Sequence, residues 1–174
     1  MGICGSYGLD SANGLMIELV LEQCTKLGAE VITWDNRANP LPFVGEDGCW
    51  DNENVKLYKD MANSADAFIL SSPEYHGTMS GVMKNSLDWL SFDQTTGKVF
   101  GLISTLGGQA NTTTLNHMRT SVRWIHGWVI PEQLVIANVK STFSEDGKIL
   151  DSALNDRVIK FSESLFNNTM KLCK

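Results

Sequence analysis

The sequence has few of the features that mark secreted, membrane or nucleic-acid-binding proteins. Its 174 residues contain no apolar run of the roughly 18 residues that a membrane helix needs, and its first residues lack the order of a signal peptide. The four cysteines are far apart, with no C-x-x-C pair, so they indicate neither a zinc site nor a disulfide scaffold. Lys and Arg number 14 against 20 Asp and Glu, and the net charge of −6 offers no basic surface to nucleic acid or to an anionic membrane. We therefore expect a cytoplasmic protein with reduced thiols that binds no metal, nucleic acid or membrane.

What the chain does contain is the alternation of strand and helix patterns that a parallel α/β fold requires. Its length favours one domain, residues 1–174. The patterns predict strands at residues 1–4, 29–34, 67–70, 99–104 and 134–139, and helices at residues 11–26, 55–64, 81–90, 113–127 and 151–172. Five strands interleaved with five helices predict a parallel sheet with helices on both faces. In such sheets ligands bind beyond the carboxyl ends of the strands.

The loop after the first predicted strand reads Gly5-Ser6-Tyr7-Gly8-Leu9-Asp10-Ser11-Ala12-Asn13. Its glycines permit a close backbone approach, and Ser6, Ser11 and Asn13 bring polar side chains to a helix N-terminus, where free N–H groups and the helix dipole favour a phosphate. The same residues equally suit a turn that only caps the helix through Ser11 or Asn13. The loop is neither G-x-G-x-x-G nor G-x-x-x-x-G-K-[ST], which argues against dinucleotide and P-loop sites.

Two more loops follow buried strands. The loop after the third predicted strand, Ser71-Ser72-Pro73-Glu74-Tyr75-His76-Gly77-Thr78-Met79-Ser80-Gly81, offers backbone amides beside an aromatic ring and suits a flat apolar ligand. The loop after the fourth, Ser104-Thr105-Leu106-Gly107-Gly108-Gln109-Ala110-Asn111, has consecutive glycines that let main-chain N–H groups face a ligand edge. By itself this third loop is more often an ordinary turn.

The run Pro73-Glu74-Tyr75-His76-Gly77, with Ser80-Gly81, Lys84-Asn85 and Leu87-Asp88-Trp89 behind it, resembles the signature of the NADPH-dependent FMN reductases. This family is flavodoxin-like and includes quinone, azo-compound and chromate reductases. All three loops fall in the family's order and spacing, so the resemblance spans nearly the whole chain. It implies a three-layer sandwich around a five-stranded parallel sheet of order 2-1-3-4-5, with FMN bound at the switch between strands one and three.

The resemblance also implies which residues hold the cofactor. The FMN phosphate is expected at Ser6, Ser11, Ala12 and Asn13. The flavin ring and ribityl chain are expected at Pro73, Glu74, Tyr75, His76 and Gly77. The pyrimidine edge of the ring is expected at Ser104, Thr105, Leu106, Gly107 and Gly108.

By the same resemblance, NADPH or NADH passes a hydride to FMN, which then reduces a small acceptor such as a quinone, free flavin, an azo compound or a metal oxyanion. The cofactor carries the chemistry, so no catalytic side chain is expected. Because donor and acceptor use one flavin face in turn, we expect ping-pong kinetics. Relatives form homodimers and homotetramers, and we expect the same here. The alternatives are a flavodoxin-like electron carrier served by protein partners and a cofactor-free binding or regulatory domain that kept the fold.

Two features depart from the family's pattern. Its first loop runs G-S-x-R-x-x-S-x-N, but Gly8 stands at the arginine position and no Lys or Arg occurs before Lys26. With no formal cation in the loop, we expect weaker FMN retention than in relatives with the arginine, and tighter binding in a Gly8→Arg variant. Only residues 1–4 precede the loop, whereas a strand normally has about five or six residues. We therefore expect apolar residues added before Met1 to raise thermal stability.

A few conspicuous residues have ordinary explanations. Trp124 and Trp128 are expected in the core or in a subunit interface. Arg119 and Arg123 lie one turn apart on a helix, and a solvated face or a subunit contact is favoured over an NADPH phosphate. Cys4 abuts the first loop and is expected to be a small buried residue.

Overall fold

Five parallel strands form the central sheet of the computed structural model, which describes residues 1–110 and 112–173. They lie in the order β2-β1-β3-β5-β6, and their bounds are β1 (Gly2–Cys4), β2 (Thr33–Trp34), β3 (Ala67–Tyr75), β5 (Val99–Thr105) and β6 (Trp128–Ile136). A sixth strand, β4 (Thr78–Met79), pairs antiparallel with the end of β3. The predicted flavodoxin-like order is confirmed. The five parallel strands are also as predicted, but the sixth is not, because a strand of two residues is too short to show an alternating pattern.

Helices cover both faces of the sheet. Their bounds are α1 (Ala12–Lys26), α2 (Glu53–Ser64), α3 (Gly81–Asp88), α4 (Phe92–Thr95), α5 (Thr113–Trp124) and α6 (Ser152–Leu172), with short 3-10 helices at Cys49–Asp51 and Val139–Ser141. The side chains of α1 and α6 share one core with Ile103, and those of α2, α3 and α5 share the other with Phe68 and Phe100. The rings of Phe68 and Phe100 stack with centroids 4.6 Å apart. Among the described residues, no helix is both long and apolar enough to cross a membrane.

Several strands differ in length from their predicted bounds. β3 continues to Tyr75 because it pairs with β5 as far as Pro73 and Thr105 and then turns into β4. β6 begins at Trp128, well before the predicted residue 134, although it contains Pro131. Proline cannot donate to the ladder, and this one lies in an edge strand where the register with β5 is shifted. β2 is shorter than predicted, because it pairs only with the short β1.

The start of the chain takes part in the sheet directly. β1 has three residues and lies between β2 and β3. The carbonyl of Met1 accepts from the Ile69 N–H at 2.9 Å, and the Met1 amino group donates to the Ala67 carbonyl at 2.8 Å. The effect of apolar residues added before Met1 stays a prediction.

Candidate functional site

One buried asparagine joins the three predicted loops at the carboxyl edge of the sheet. The Asn13 side chain is 2% exposed. Its Oδ1 accepts from Ser71 Oγ on β3 at 3.0 Å and from Thr105 Oγ1 on β5 at 3.1 Å. Its Nδ2 donates to Ser6 Oγ at 3.0 Å. Because these bonds tie the first loop to the ends of β3 and β5, the Asn13 side chain positions the loops.

The N-terminus of α1 is open to the first loop. Of the two caps that the sequence allowed, Ser11 is the one formed: its Oγ accepts from Gly14 N at 3.3 Å. Gly14 is required by close packing, since a Cβ there would lie 1.8 Å from the Leu9 carbonyl oxygen. The first N–H groups of a helix have no intrahelical acceptor. These N–H groups and the nearby hydroxyls provide the donors that an anion requires.

Cys4 packs against the inner side of the first loop. Its Sγ lies 3.8 Å from the Gly8 carbonyl and 3.7 Å from Ser11 Oγ. The side chain is 1% exposed, as predicted. Burial raises the pKa of the Cys4 thiol above its ordinary value. The residue therefore supports the loop as an uncharged thiol.

A cation from another segment lies at the first loop. The loop's own residues include no cation, but Arg37, which follows β2, lies across Gly8 and pairs with Asp10. The Arg37 Nη2 is 2.9 Å from Asp10 Oδ1, and its Nη1 is 3.2 Å from Oδ2. This guanidinium lowers the pKa of Asp10 below its ordinary value. The loop itself contains no cation, as the sequence shows, but Arg37 brings one to it from a segment that is distant in the chain.

The second loop is a hairpin between β3 and β4. Tyr75 pairs with Thr78, and the two residues between them, His76 and Gly77, have φ angles of 53° and 78°. Two positive φ angles in succession are typical of the tight turn that matches the twist of two strands. His76 is therefore a turn residue, and Tyr75 is left 59% exposed at the end of the strand.

Hydrogen bonds fasten this hairpin to the first loop and to α5. Ser80 Oγ donates to the Gly5 carbonyl at 2.5 Å and accepts from Met83 N at 3.0 Å, so it also caps α3. Glu74 Oε2 accepts from Thr114 Oγ1 at 3.1 Å. On the outer side, His117 Nδ1 lies 2.8 Å from Thr78 Oγ1, a contact that sequence reasoning missed. Glu74 thus links the hairpin to α5.

The third loop exposes backbone without side chains at the carboxyl edge of the sheet. Gly107 and Gly108 are exposed, and a Cβ on either would meet no atom within 4 Å. Leu106 differs, because it is buried and its N–H donates to the Ile136 carbonyl at 2.9 Å. The Ser104 hydroxyl is buried without a hydrogen-bond partner in the described part of the chain. With no side chain in the way, the backbone of the two exposed glycines can approach a ligand.

The predicted site residues fit FMN as a group. Polar donors and the Arg37 guanidinium lie at the first loop, as a phosphate requires. An exposed tyrosine ring and unobstructed glycine amides lie at the ends of β3 and β5, as a flat ring with polar edges requires. The residues predicted for the phosphate, namely Ser6, Ser11, Ala12 and Asn13, lie together at the start of α1. The residues predicted for the ring and for its pyrimidine edge lie at the ends of the adjacent strands β3 and β5.

Several other residues lie elsewhere. Arg119, Arg123, His126 and Trp128 line a cavity of about 530 Å³ at the end of the sheet where β6 begins. This end is opposite to the carboxyl ends of β1, β3 and β5. Trp124 and Trp128 are 76% and 60% exposed, so their expected place in the core is wrong. Their position at the surface still leaves the alternative of a subunit interface.

Comparison with known proteins gives a consistent set of similarities. The model of the NADPH-dependent FMN reductase family matches residues 1–141. An FMN-dependent NADPH-azoreductase of Staphylococcus aureus is 36% identical over 169 residues, which cover 94% of this chain and 88% of that protein. Among solved structures, the flavoenzyme NAD(P)H:(acceptor) oxidoreductase FerB of Paracoccus denitrificans superposes with a TM-score of 0.78 at 20% identity, over 98% of this chain and 96% of its own. An archaeal flavodoxin superposes with a TM-score of 0.65 at 12% identity, over 99% of this chain and 97% of the flavodoxin.

Proposed function

This chain belongs to the NADPH-dependent FMN reductase family, and we propose that the loops after β1, β3 and β5 form its FMN site. As an FMN-dependent NAD(P)H oxidoreductase, it needs one place where a phosphate, a flavin ring and an acceptor meet. The observation that carries the proposal is the Asn13 side chain, which links Ser6, Ser71 and Thr105 with three buried or half-buried hydrogen bonds. The three loops are thereby held as one surface.

Each loop has a separate task in this proposal. Ser6, Ser11 and the N–H groups of Ala12 and Asn13 bind the phosphate at the positive end of α1. The segment Pro73 to Tyr75 with the turn at His76 and Gly77 lies along the ring and the ribityl chain. Backbone at Ser104 to Gly108 borders the pyrimidine edge, where the Gly107 and Gly108 amides donate hydrogen bonds.

The chemistry needs little from the side chains. A bound FMN would supply the hydride and electron transfer between nicotinamide and acceptor. The chain's residues bind the phosphate, orient the ring and donate hydrogen bonds to its polar edge. Glu74 accepts a hydrogen bond from Thr114 and so links the hairpin to α5.

We propose a small flat or oxyanionic acceptor, namely a quinone, an azo compound, free flavin or a metal oxyanion. The similarity to an azoreductase supports azo compounds as one of these classes. The electron-carrier alternative is disfavoured, because the matching family and the azoreductase relative are both described as NADPH-dependent. We further propose that it acts in the cytoplasm as a homodimer or homotetramer. Phe43 and Trp50, both about two-thirds exposed at 64% and 66%, supply apolar surface for such contacts.

Reconstitution and steady-state kinetics test this function. Protein mixed with excess FMN is expected to leave a desalting column yellow and to oxidise NADPH or NADH when a quinone or an azo dye is added. Double-reciprocal plots at several acceptor concentrations are expected to be parallel, the pattern of a ping-pong reaction. A colourless protein that quenches no flavin fluorescence would overturn the FMN site. Intersecting lines would overturn the ping-pong order.

A further inference from the structure

The loop after β1 carries a charge of the wrong sign for a phosphate. Within residues 5–13 the one ionisable acid or base apart from the Tyr7 phenol is Asp10, a carboxylate. The phosphate of a flavin mononucleotide carries about −1.5 to −2 charges at neutral pH, by analogy with other phosphate monoesters. Hydroxyls and N–H groups bind such an anion, but a nearby carboxylate repels it. The site needs a cation from outside the loop.

We propose that Arg37 is this cation and that it makes the site select a flavin bearing a phosphate over one without. The proposal rests on the FMN site proposed above. Arg37 lies directly against the loop's backbone: a Cβ on Gly8 would be 2.1 Å from Arg37 Nη2 and 2.4 Å from its Cζ. Gly8 is thus the residue that makes room for the guanidinium, and any side chain at position 8 would displace it.

The neighbouring residue, Asn36, is buried and holds Arg37 beside the first loop. Asn36 is 5% exposed and donates from Nδ2 to the Cys4 carbonyl at 3.2 Å. Its Oδ1 accepts from Trp34 Nε1 at 3.1 Å. The backbone N–H of Arg37 donates to Asp35 Oδ1 at 2.8 Å. The segment after β2 is therefore fastened to the end of β1, where the first loop begins.

The pairing with Asp10 leaves Arg37 able to bind a second anion. A guanidinium has five N–H donors in a planar fork, and the two bonds to Asp10 use one on Nη1 and one on Nη2. Within residues 1–110 and 112–173 the remaining side-chain donors meet no acceptor, and they can donate to a phosphate, an anion whose geometry matches the guanidinium. The two side chains are 57% and 72% exposed, and a pair so exposed adds little to stability. The role of the Arg37–Asp10 ion pair is therefore to hold the guanidinium beside the loop.

Breaking the pair from each side tests the proposal. Arg37→Gln removes the cation, while Asp10→Asn breaks the same pair and keeps the cation. Arg123→Gln, at the opposite end of the sheet, serves as an unrelated arginine control. Each protein, stripped of flavin, is titrated with FMN and with riboflavin by quenching of flavin fluorescence. Thermal unfolding of each variant verifies that it is folded.

We expect Arg37→Gln to raise the Kd for FMN by about tenfold or more, the usual range for a bond to a charged group, and to leave the Kd for riboflavin within about twofold. Asp10→Asn and Arg123→Gln should keep the wild-type preference for FMN or increase it. Raising NaCl from about 0.05 to about 0.5 M should reduce this preference in the wild type and leave it unchanged in Arg37→Gln.

The opposite results have distinct meanings. An equal loss of preference in Arg37→Gln and Asp10→Asn would show that the pair only fastens the loop, and an unchanged preference in Arg37→Gln would show that Arg37 has no part in binding. Either result overturns the proposal. If the wild type bound neither flavin, the FMN site itself would be wrong, and this outcome is separate from both.

Discussion

Asn13 Oδ1 accepts a hydrogen bond from Thr105 Oγ1 at 3.1 Å, although 92 positions of the chain separate the two residues. The same oxygen accepts from Ser71 Oγ at 3.0 Å. Both bonds are buried, and the donors lie two register positions apart on neighbouring strands, since Ser71 pairs with Ile103 and Thr105 pairs with Pro73. A buried amide with all these partners sets the distance between the start of α1 and the ends of β3 and β5. The geometry of the candidate FMN site follows from this side chain.

Asn13→Ala should therefore lower both stability and flavin binding. The substitution leaves the hydroxyls of Ser71 and Thr105 without their acceptor, which costs about 1–3 kcal/mol in the free energy of unfolding. Urea unfolding measures this change, and flavin titration should show weaker binding of FMN and riboflavin alike. Asn116→Ala, at an exposed position of α5, is the control and should stay within about 0.5 kcal/mol. Equal stability of the two variants would contradict the role given to Asn13.

Gly8→Ala should weaken FMN binding without adding or removing a charge. The new Cβ would lie 2.1 Å from Arg37 Nη2 and must push the guanidinium aside. The Kd for FMN should rise several-fold, and that for riboflavin should not change. Gly81→Ala is a matched control, because a Cβ there meets no atom within 4 Å.

Gly8→Arg has a more complex outcome than the sequence indicated. The substitution adds a cation at the loop but displaces the Arg37 guanidinium, which is the flexible end of a side chain. We therefore expect the gain in FMN affinity to be small in the wild type and large in the Arg37→Gln background. Titration of the two single variants and the double variant measures this difference. A gain of the same size in both backgrounds would mean that the two arginines act independently.

Gly77→Ala should disturb the ring end of the site and spare the phosphate end. Gly77 has φ 78° in the β3–β4 turn, a conformation that costs a residue with a Cβ roughly 1–2 kcal/mol. Both flavins should bind more weakly by a similar factor, so that the preference for FMN over riboflavin stays constant. Binding of both flavins and thermal unfolding are measured together. A selective loss of FMN affinity would contradict this assignment of the hairpin.

The four thiols should differ sharply in reactivity. Cys4, Cys24 and Cys49 are buried, whereas Cys173 is partly exposed. In the native protein a disulfide reagent at about pH 8 should react mainly with one thiol per chain, and all four should react in denaturant. Partial burial raises the pKa of Cys173, so its rate should still be rising as the pH passes the ordinary thiol value of 9.0. Cys173→Ser should abolish the fast reaction.

Much of the fold follows from local patterns. The apolar runs of β3 and β5 and the spacing of α1 and α6 indicate buried strands and helices on a parallel sheet, and the bounds of α1 agree with the prediction. Where the prediction failed, pairing decided the outcome. β4 exists only because the His76–Gly77 turn folds it back on β3, and β6 continues through Pro131 because the edge of the sheet tolerates a missing donor.

The chemistry of the site divides in the same way. Local sequence is enough to predict the three loops and their order, because glycines, hydroxyls and buried strands leave local signatures. The folded chain was needed to see that Asn13 links these loops and that the Arg37 guanidinium lies beside Gly8 and Asp10. The reason is that β2 pairs beside β1, so two segments far apart in the chain meet at one edge. No pattern of neighbouring residues encodes that distance.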